Sequence, residues 1–320
     1  MTDSLIATRL HEPRLQFDYE NREAVSSNPF FGLKDFGPFD ATERRHAGVK
    51  PTPAVIVGRA DQPNEIARVI TALSAKRLGR LHDVFNLEFA DTIRVPASTP
   101  REEAATYRRA IDEWFDEAPY RREVEIAVVL HADESQYRGA SPYYASKAAF
   151  MRRGVPTQSI THENIAPSNM SNFRNYYVAN ILTACYAKIG GVPWVVQAST
   201  RDRPEITVGV ACTAVVTASD VERYVGISTI FRENGAFALW DITPPEQDWE
   251  KYQAQLEASV LRAIQTYEAR ENKQVSRVAC HVSGKRAGQR ETEAIASALA
   301  KFPGRTITAD IIHVTDDASL

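Results

Sequence analysis

The sequence predicts an α/β protein of two domains, the first built on a parallel sheet and the second on a mixed sheet. In the first half, apolar runs typical of buried strands alternate with segments of helical spacing, which indicates a parallel sheet covered by helices. In the second half, three apolar runs lie close together and precede a helix, a strand, a helix and a strand, which favours a partly antiparallel sheet. The chain has 320 residues, 43% of them hydrophobic, which is enough for two cores.

Residues 1–48 are predicted to form an irregular lead-in. This segment is rich in Pro, Gly, Phe and turn-forming residues, so we expect only one or two short strands in it. Its Phe side chains should pack the lead-in onto the core of the domains that follow.

Residues 49–192 are predicted to form the first domain. Buried strands are expected at 53–58 and 124–131, helices at 62–78 and 101–117, and further extended segments at 83–88 and 92–95. The second helix follows Ser98-Thr99-Pro100, which supplies a cap and a proline in the first turn. The alternation of strand and helix predicts a Rossmann-like architecture, in which ligands bind beyond the carboxyl ends of the strands.

The stretch 141–194 contains the candidate binding residues. It is predicted to form a short helix, a tight turn, a short extended segment, a polar loop and a longer helix that ends at Gly190-Gly191. Four side chains suited to binding an anion occur along it: Tyr143, Lys147, Gln158 and Lys188.

The spacing of the first pair suggests a phosphate site. Tyr143 and Lys147 are four residues apart, so on a helix they share one face and can converge on one oxygen-rich group. Lysine supplies charge and mobile donors, whereas Tyr and Gln supply neutral donors that fix orientation. Tyr144 could replace Tyr143, because a spacing of three also shares a face. A Tyr–Lys pair by itself more often marks an exposed helix face.

The order of the motifs adds specificity. The sequence reads Y-x-x-x-K, then G-V-P-T-Q, then K-I-G-G-V-P-W, which resembles the MID domain of prokaryotic Argonaute proteins, whose 5′-phosphate pocket uses Tyr or His, Lys, Gln and a second Lys. The resemblance implies that Lys147 and Lys188 neutralise the phosphate and that Tyr143 and Gln158 orient it. It also implies that Asn180 hydrogen-bonds the first nucleotides.

The lead-in supports the same resemblance. Its E-P-x-L-x-F stretch and later G-L-x-x-x-G-P-F stretch are similar to the start of short Argonautes. We therefore expect that no N or PAZ domain precedes this chain.

Residues 193–320 are predicted to form a partial ribonuclease-H-like domain, which in the family resembled is the PIWI domain. An antiparallel meander is expected over 206–216, 224–230 and 237–242, then a helix at 247–268, a strand at 277–282, a helix at 290–301 and a strand at 306–314. We expect the chain to end just after the fourth strand of this sheet. The incomplete sheet would leave an edge that a partner covers.

The second half lacks the carboxylates of a nuclease. Metal-dependent strand cleavage needs several carboxylates around two Mg²⁺ ions, and the resemblance places the first two in G-x-D-like and R-D-G-like contexts. Here these positions hold Ala211 and Ser283, which cannot replace a carboxylate ligand of Mg²⁺. We therefore assign no catalytic residue and predict no cleavage, and we leave any metal ligands open. In some relatives a Mg²⁺ ion binds at the guide 5′-phosphate, which makes Mg²⁺ a candidate cofactor.

Charge and composition restrict the remaining possibilities. The formal net charge of −3 argues against binding nucleic acid by bulk charge, so any such site must be local. Three cysteines lie far apart without a metal-binding motif, which favours reduced core residues and a cytoplasmic location. No signal peptide or membrane-length apolar segment is present in the sequence.

The sequence therefore predicts a catalytically inactive Argonaute that anchors the 5′-phosphate of a guide RNA or DNA. Base pairing with a complementary target would then direct prokaryotic defence, together with an APAZ-containing effector or a second Argonaute fragment as partner. Two alternatives remain at this point. One is a Rossmann-like phosphate-ester or nucleotide-handling enzyme that uses Lys147, Lys188 and Asp133, and the other is a structural subunit that binds no strand.

Overall fold

The computed structural model describes residues 12–48, 51–75, 78–117, 123–133, 141–197, 205–216, 221–241, 245–246, 249–283 and 289–314. The chain divides into two compact units, Met1–Val195 and Val196–Leu320. Among the described residues, no helix is both long enough and apolar enough to cross a membrane.

The lead-in contains the expected short strands and also two helices that the sequence analysis did not predict. Its elements are β1 (Leu15–Gln16), β2 (Val25–Ser26), α1 (Pro29–Asp35) and α2 (Ala41–His46). Strands β1 and β2 pair antiparallel. Helix α1 begins where the Asn28 side chain accepts hydrogen bonds from the backbone N–H groups of Phe30 and Phe31, with Pro29 at the first helical position. Asparagine followed by proline is a helix-start signal, so α1 could have been predicted.

The predicted parallel sheet is confirmed. Its elements are β3 (Thr52–Arg59), α3 (Pro63–Ser74), β4 (Leu87–Val95), α4 (Glu103–Glu117), β5 (Ile126–His131), α5 (Pro142–Met151) and β6 (Thr157–Thr161). The strand order is β4-β3-β5-β6, and every pair is parallel. Strand β5 is buried along its whole length, because Val128 packs in one core cluster and Val129 in another. Apolar residues on both faces of the central strands therefore specify helices on both sides of the sheet.

The polar loop expected after β6 is instead helical, so this expectation is wrong. The segment forms α6 (His162–Ile165), a 3₁₀ turn (Pro167–Asn169), α7 (Met170–Asn172), a π-helical turn (Phe173–Tyr177) and α8 (Val178–Lys188). Ile165 and Phe173 are fully buried and hold these turns against the core. The polar residues between them concealed this pattern, since two apolar anchors eight residues apart do not give a helical periodicity.

A buried carboxylate fixes the end of α8 to the lead-in. The Asp40 carboxylate accepts hydrogen bonds from the Tyr186 hydroxyl at 2.5 Å, from the Val192 backbone N–H at 3.1 Å and from the Arg44 guanidinium at 3.2 Å. Asp40 is 8% exposed, so its charge depends on these donors. The contact holds the last turn of α8, where Lys188 lies, and so connects the lead-in to the candidate site.

The second unit has the ribonuclease-H-like order of strands. After β7 (Val195–Val196) come β8 (Ile206–Val216), β9 (Val221–Arg232), β10 (Phe237–Asp241), β11 (Pro245–Glu246), α9 (Trp249–Glu271), β12 (Arg277–Ser283), α10 (Gln289–Ala300) and β13 (Thr308–Val314). The sheet order is β10-β9-β8-β12-β13, with β11 paired to β9. Strand β9 is antiparallel to β8 and to β10, whereas β12 is parallel to β8 and to β13. The meander and the parallel strands are therefore confirmed.

One expectation about this sheet is wrong. We expected the chain to end after a fourth strand, but β13 is the fifth strand along the sheet order. Strand β13 lies at the end of that order, and its residues Asp310 and Ile312 are exposed.

Two cysteines behave as core residues. Cys185 and Cys280 are free and buried, and burial raises the pKa of each thiol to about 12. Such thiols are unreactive near neutral pH. The side chain of the third cysteine, Cys212, lies outside the described residues.

Replacing Tyr186 with Phe should lower the free energy of unfolding by about 1–3 kcal/mol at neutral pH, because the buried Asp40 carboxylate loses a donor. Burial, and next the hydrogen bond to Asp40, raise the pKa of Tyr186. Folding therefore favours the neutral phenol. This contribution is complete below the pKa of an unfolded tyrosine, about 10, and is lost as the pH rises above it.

Urea unfolding followed by circular dichroism at a series of pH values checks this prediction. The stability difference between the wild type and Tyr186→Phe should narrow above about pH 10. Tyr176→Phe is the matched control, since Tyr176 is 68% exposed, and it should unfold like the wild type throughout. Equal stability of Tyr186→Phe and the wild type at neutral pH would contradict the prediction.

Candidate functional site

The four predicted anion-binding side chains form two hydrogen-bonded pairs, one on helix α5 and one that joins α8 to β6. We call Tyr143, Lys147, Gln158 and Lys188 the phosphate cluster. Tyr143 lies near the carboxyl end of β5, where its ring contacts that of His131 with centroids 5.8 Å apart. Gln158 is the second residue of β6 and is paired in register with Val128.

The strand pattern predicted ligands beyond the carboxyl ends of the strands, and this stays a prediction. Tyr143 lies near the carboxyl end of β5, whereas Gln158 and Lys188 lie at the amino end of β6. Strand β6 is the last strand in the sheet order, so its outer side can receive a helix end and a ligand.

The first pair of the cluster is set by helix α5. The Ser141 side chain caps this helix by accepting the backbone N–H of Tyr144 at 3.4 Å, and Pro142 occupies the first turn. The Lys147 ammonium donates to the Tyr143 hydroxyl at 3.1 Å. The expected proximity of these two side chains is therefore present, and the phenol orients the ammonium.

The second pair joins helix α8 to strand β6. The Lys188 ammonium donates to the Thr157 carbonyl at 2.6 Å and to the Gln158 side-chain oxygen at 2.8 Å. The Gln158 amide nitrogen donates to the Ser159 carbonyl at 3.1 Å. Two residues thirty positions apart in the sequence thus form one hydrogen-bonded unit.

The two pairs are electrostatically coupled. Partial burial of its ammonium lowers the pKa of Lys188, the neighbouring Cys185 opposes this, and the charge of Lys147 lowers that pKa further. Residue Lys188 as a whole is exposed, so the burial concerns the ammonium drawn against β6 and not the complete side chain. A like charge nearby disfavours the protonated form of a lysine, so the effect of Lys147 on this pKa has the expected sign.

Within the part of the chain that the structure describes, neither ammonium forms an ion pair with a carboxylate. An anion placed between Lys147 and Lys188 would therefore remove their repulsion and make use of donors that are already oriented.

Asn180 lies apart from the two lysines. It is exposed on α8 and lines a cavity of about 330 Å³ together with Gln158, Asn164 and Tyr177. Eight residues of helix separate it from Lys188, a distance of about 12 Å along the axis. Asn180 can therefore meet a ligand that extends beyond the phosphate cluster along α8.

The sequence analysis missed or undervalued three groups that position the phosphate cluster. The Ser141 cap had a signal, because serine followed by proline typically begins a helix. His131 was interpreted only as a turn residue, and its Nδ1 does lie 2.7 Å from the Ala132 carbonyl oxygen, but its ring also packs on Tyr143. The Thr157 carbonyl had no signal, since any residue supplies a carbonyl.

The described residues do not fit a resident Mg²⁺ ion. Among them, no group of three or more His, Cys, Asp or Glu side chains could hold a metal. The phosphate cluster offers two ammonium groups, a phenol and an amide, whereas Mg²⁺ requires several oxygen ligands, with carboxylates preferred. The cluster suits an anion directly.

The positions expected to carry nuclease carboxylates come together in the second unit. In the parallel pairing of β8 with β12, the backbone of Ser283 is the register partner of Ala211. The side chains of both residues lie outside the described part of the structure. The backbone nevertheless places the two positions on neighbouring strands, as a shared metal site would require.

Comparisons with known proteins show which family the chain resembles. Residues 126–307 match the Piwi domain family. The chain is 27% identical over 280 residues to a protein argonaute of Cereibacter sphaeroides, covering 81% of this chain and 34% of the relative. It is 20% identical over 265 residues to a Piwi protein of Archaeoglobus fulgidus, covering 82% and 55%. The chain thus spans between a third and somewhat more than half of these relatives.

Solved Argonaute structures share the fold. The structure of Clostridium butyricum Argonaute bound to a guide DNA (5′ deoxycytidine) and a 19-mer target DNA has a TM-score of 0.60 at 16% identity, covering 96% of this chain and 40% of that one. A. aeolicus Argonaute has a TM-score of 0.54 at 13% identity, covering 85% and 36%. The predicted resemblance to Argonaute proteins is confirmed, and the chain belongs to the Piwi domain family of Argonaute proteins.

Proposed function

We propose that this chain anchors the 5′-phosphate of a guide strand in the phosphate cluster and presents that strand for pairing with a complementary target. The observation that carries the proposal is that the ammonium groups of Lys147 and Lys188 are each held by neutral hydrogen-bond partners, while neither forms an ion pair within the described chain. A terminal phosphate carries a charge near −2 at neutral pH and accepts several hydrogen bonds.

The donors that remain available match a terminal phosphoryl group. Each ammonium has three N–H donors, of which Lys147 uses one and Lys188 uses two in the contacts given above. The Tyr143 hydroxyl accepts from Lys147, so its own hydrogen is available for a phosphate oxygen. Gln158 keeps a second amide N–H beyond the one that it donates to Ser159. The cluster can therefore bind three phosphate oxygens from different directions.

Binding at the strand terminus fixes register without reading sequence. Phosphate contacts position a strand, and base pairing then supplies the sequence information. This scheme accommodates an RNA or a DNA guide, because the four side chains are assigned to the phosphate and not to a base or a 2′-hydroxyl. The resemblance to short Argonautes supports a role in prokaryotic defence beside an APAZ-containing effector or a second Argonaute fragment.

The proposal includes no strand cleavage. Ala211 and Ser283 occupy paired positions on β8 and β12, where two carboxylates would be needed to bind one metal ion. Neither residue type supplies a carboxylate ligand, so the chain would recognise a target without cutting it.

Wild-type protein should bind a 5′-phosphorylated oligonucleotide more tightly than its 5′-hydroxyl form, and Lys147→Ala should lose this preference. Loss of one charge-assisted contact should weaken binding of the phosphorylated strand by about 10- to 100-fold. Fluorescence anisotropy measures both affinities. Lys273→Ala is the control, because this substitution removes the same charge from an exposed position in the second unit.

The result of this experiment separates the alternatives. Equal affinity for the two strands would indicate a structural subunit, and release of phosphate or of a nucleotide product would indicate the phosphate-ester enzyme. A general loss of binding in both lysine variants would show that net charge, not the cluster, holds the strand.

Phosphate-dependent affinity should fall as the pH rises above neutrality, and the fall should begin below the ordinary lysine pKa of about 10.4. Only the protonated ammonium binds the anion, and partial burial lowers the pKa of Lys188. Phosphate binding by Lys188 should therefore be complete below the lowered pKa of Lys188 and should be lost as the pH rises through that pKa. Lys188→Arg stays protonated over this range and should flatten the profile. Parallel profiles for the wild type and Lys188→Arg would exclude Lys188 as the titrating group.

A complementary target should stay intact with the guide-loaded wild type in Mg²⁺ or Mn²⁺, as measured on denaturing gels. The double variant Ala211→Asp with Ser283→Asp should gain Mn²⁺ binding, detectable by electron paramagnetic resonance, because adjacent strands lie only about 4.8 Å apart. Each single variant is a control with one carboxylate and should bind more weakly. Cleavage by the wild type would refute the absence of activity.

A further inference from the structure

Asp40 belongs to the lead-in, yet it contacts the end of α8 on both sides of Lys188. Its carboxylate accepts a hydrogen bond from the Tyr186 hydroxyl, two residues before that lysine, and another from the Val192 backbone N–H, four residues after it. These partners lie 146 and 152 residues from Asp40 in the sequence. One carboxylate from the lead-in therefore holds the helix end that carries one of the two positive charges of the phosphate cluster.

The turn that follows α8 fits closely against the lead-in. The Phe39 backbone N–H donates to the carbonyl oxygens of Val192 at 3.0 Å and of Pro193 at 3.1 Å. Gly191 packs on the ring of Tyr186, where an added Cβ would lie only 2.4 Å from a ring carbon. A side chain at this position would displace the ring, so the glycine permits the contact. The turn and the lead-in thus form one packed unit.

The negative charge of Asp40 is not what helix stability alone favours at this place. The last carbonyl groups of a helix carry partial negative charge, so a carboxylate near them is unfavourable. Arg44 compensates the charge of Asp40, because its Nε lies 3.2 Å from the carboxylate and its guanidinium carbon lies 4.9 Å from the centre of the Tyr186 ring. A carboxylate can accept from the phenol, the guanidinium and the backbone N–H together, and it thereby fixes the direction of the helix end.

The opposite side of the same helical turn is held by β6. Tyr186 and Lys188 are two residues apart, or about 200° around the helix axis, so their side chains leave the helix in nearly opposite directions. The Lys188 ammonium donates at 2.6 Å to the Thr157 carbonyl and at 2.8 Å to the Gln158 side chain. A displacement of the helix end by about 1 Å would break such hydrogen bonds.

We propose that Asp40 is a positioning residue of the phosphate cluster, which sets where the Lys188 ammonium meets a bound phosphate by holding the last turn of α8. This inference rests on the proposed function. Groups that bind an anion must be held within about 0.5 Å of the productive geometry by the residues behind them. Because the Asp40 contact and the phosphate act on the same helix end, each strengthens the other by the same factor.

Asp40→Ala should lower the affinity for a 5′-phosphorylated oligonucleotide by about tenfold and leave the affinity for its 5′-hydroxyl form unchanged, as measured by fluorescence anisotropy. Asp40→Asn keeps an acceptor oxygen and should cause a smaller loss. Asp18→Asn is the control for loss of charge from the lead-in. The Asp18 side chain is 13% exposed, against 12% for Asp40, and it contacts Thr42 and Arg45 within the lead-in. This control should bind both strands like the wild type.

Hydrogen exchange tests the reverse effect. In the wild type, a saturating 5′-phosphorylated strand should slow amide exchange in peptides that contain Phe39 or Val192 more than a saturating 5′-hydroxyl strand does, because phosphate binding should tighten the attachment of the lead-in. In Asp40→Ala this difference should disappear. A residue that only stabilises the fold would not make the exchange of the lead-in depend on the 5′-phosphate.

Circular dichroism must first show that each variant is folded at the temperature of the binding experiment. If Asp40→Ala does not fold, Tyr186→Phe decides the question, because it removes a single donor to Asp40 and should weaken binding of the phosphorylated strand alone by about threefold.

Three outcomes would overturn the assignment: a wild-type preference for phosphate in the folded variant, an equal loss of affinity for both strands, or a loss of the same size in Asp18→Asn. In each case a preference of the wild type for 5′-phosphate leaves the proposed function standing. If the wild type shows no such preference, the proposed function and this inference fail together.

Discussion

The attachment of the end of α8 to the edge of the parallel sheet is the constraint on which the candidate site depends. The Lys188 ammonium is held against β6 by the Thr157 carbonyl and the Gln158 side chain. From the other side, Asp40 binds Tyr186 and Val192 and fixes the same helix end. Both attachments therefore fix the position of the Lys188 ammonium at the edge of the sheet.

The proposed anchoring of a strand at one point is compatible with the net charge of −3. A local pair of lysines does not need a basic surface, because a terminal phosphate carries its charge in one place. In the proposal, neutral donors would distinguish a phosphoryl group from other anions by direction. The lead-in also has a physical role here, since its buried Asp40 helps to position α8.

Features that depend on local spacing could be predicted from the sequence, and features that depend on tertiary contact could not. The apolar run of β5 and the four-residue spacing of Tyr143 and Lys147 each predicted what the structure contains. The contact between Gln158 and Lys188 cannot be obtained from spacing, because thirty residues and several helical turns separate them. It was expected only through the family resemblance. The helical turns before α8 were missed because buried Phe173 is surrounded by polar residues.

In the second unit, too, the strands could be predicted from the sequence, but the pairing between them could not. The meander and the later strands were predictable from apolar runs. The register that pairs Ala211 with Ser283 could be obtained only from the structure. It shows that these two positions, which the sequence shows only as departures from a motif, lie side by side on neighbouring strands. The fold is therefore that of the family, while the absence of strand cleavage expected from Ala211 and Ser283 stays a prediction.

A crystal structure of the protein with a 5′-phosphorylated dinucleotide tests the central claim most directly. The account predicts terminal phosphate oxygens within hydrogen-bonding distance of the side-chain nitrogens of both Lys147 and Lys188, with the Tyr143 hydroxyl as a third donor. A phosphate bound elsewhere, or one that contacts a single lysine while the other keeps its present partners, would contradict it.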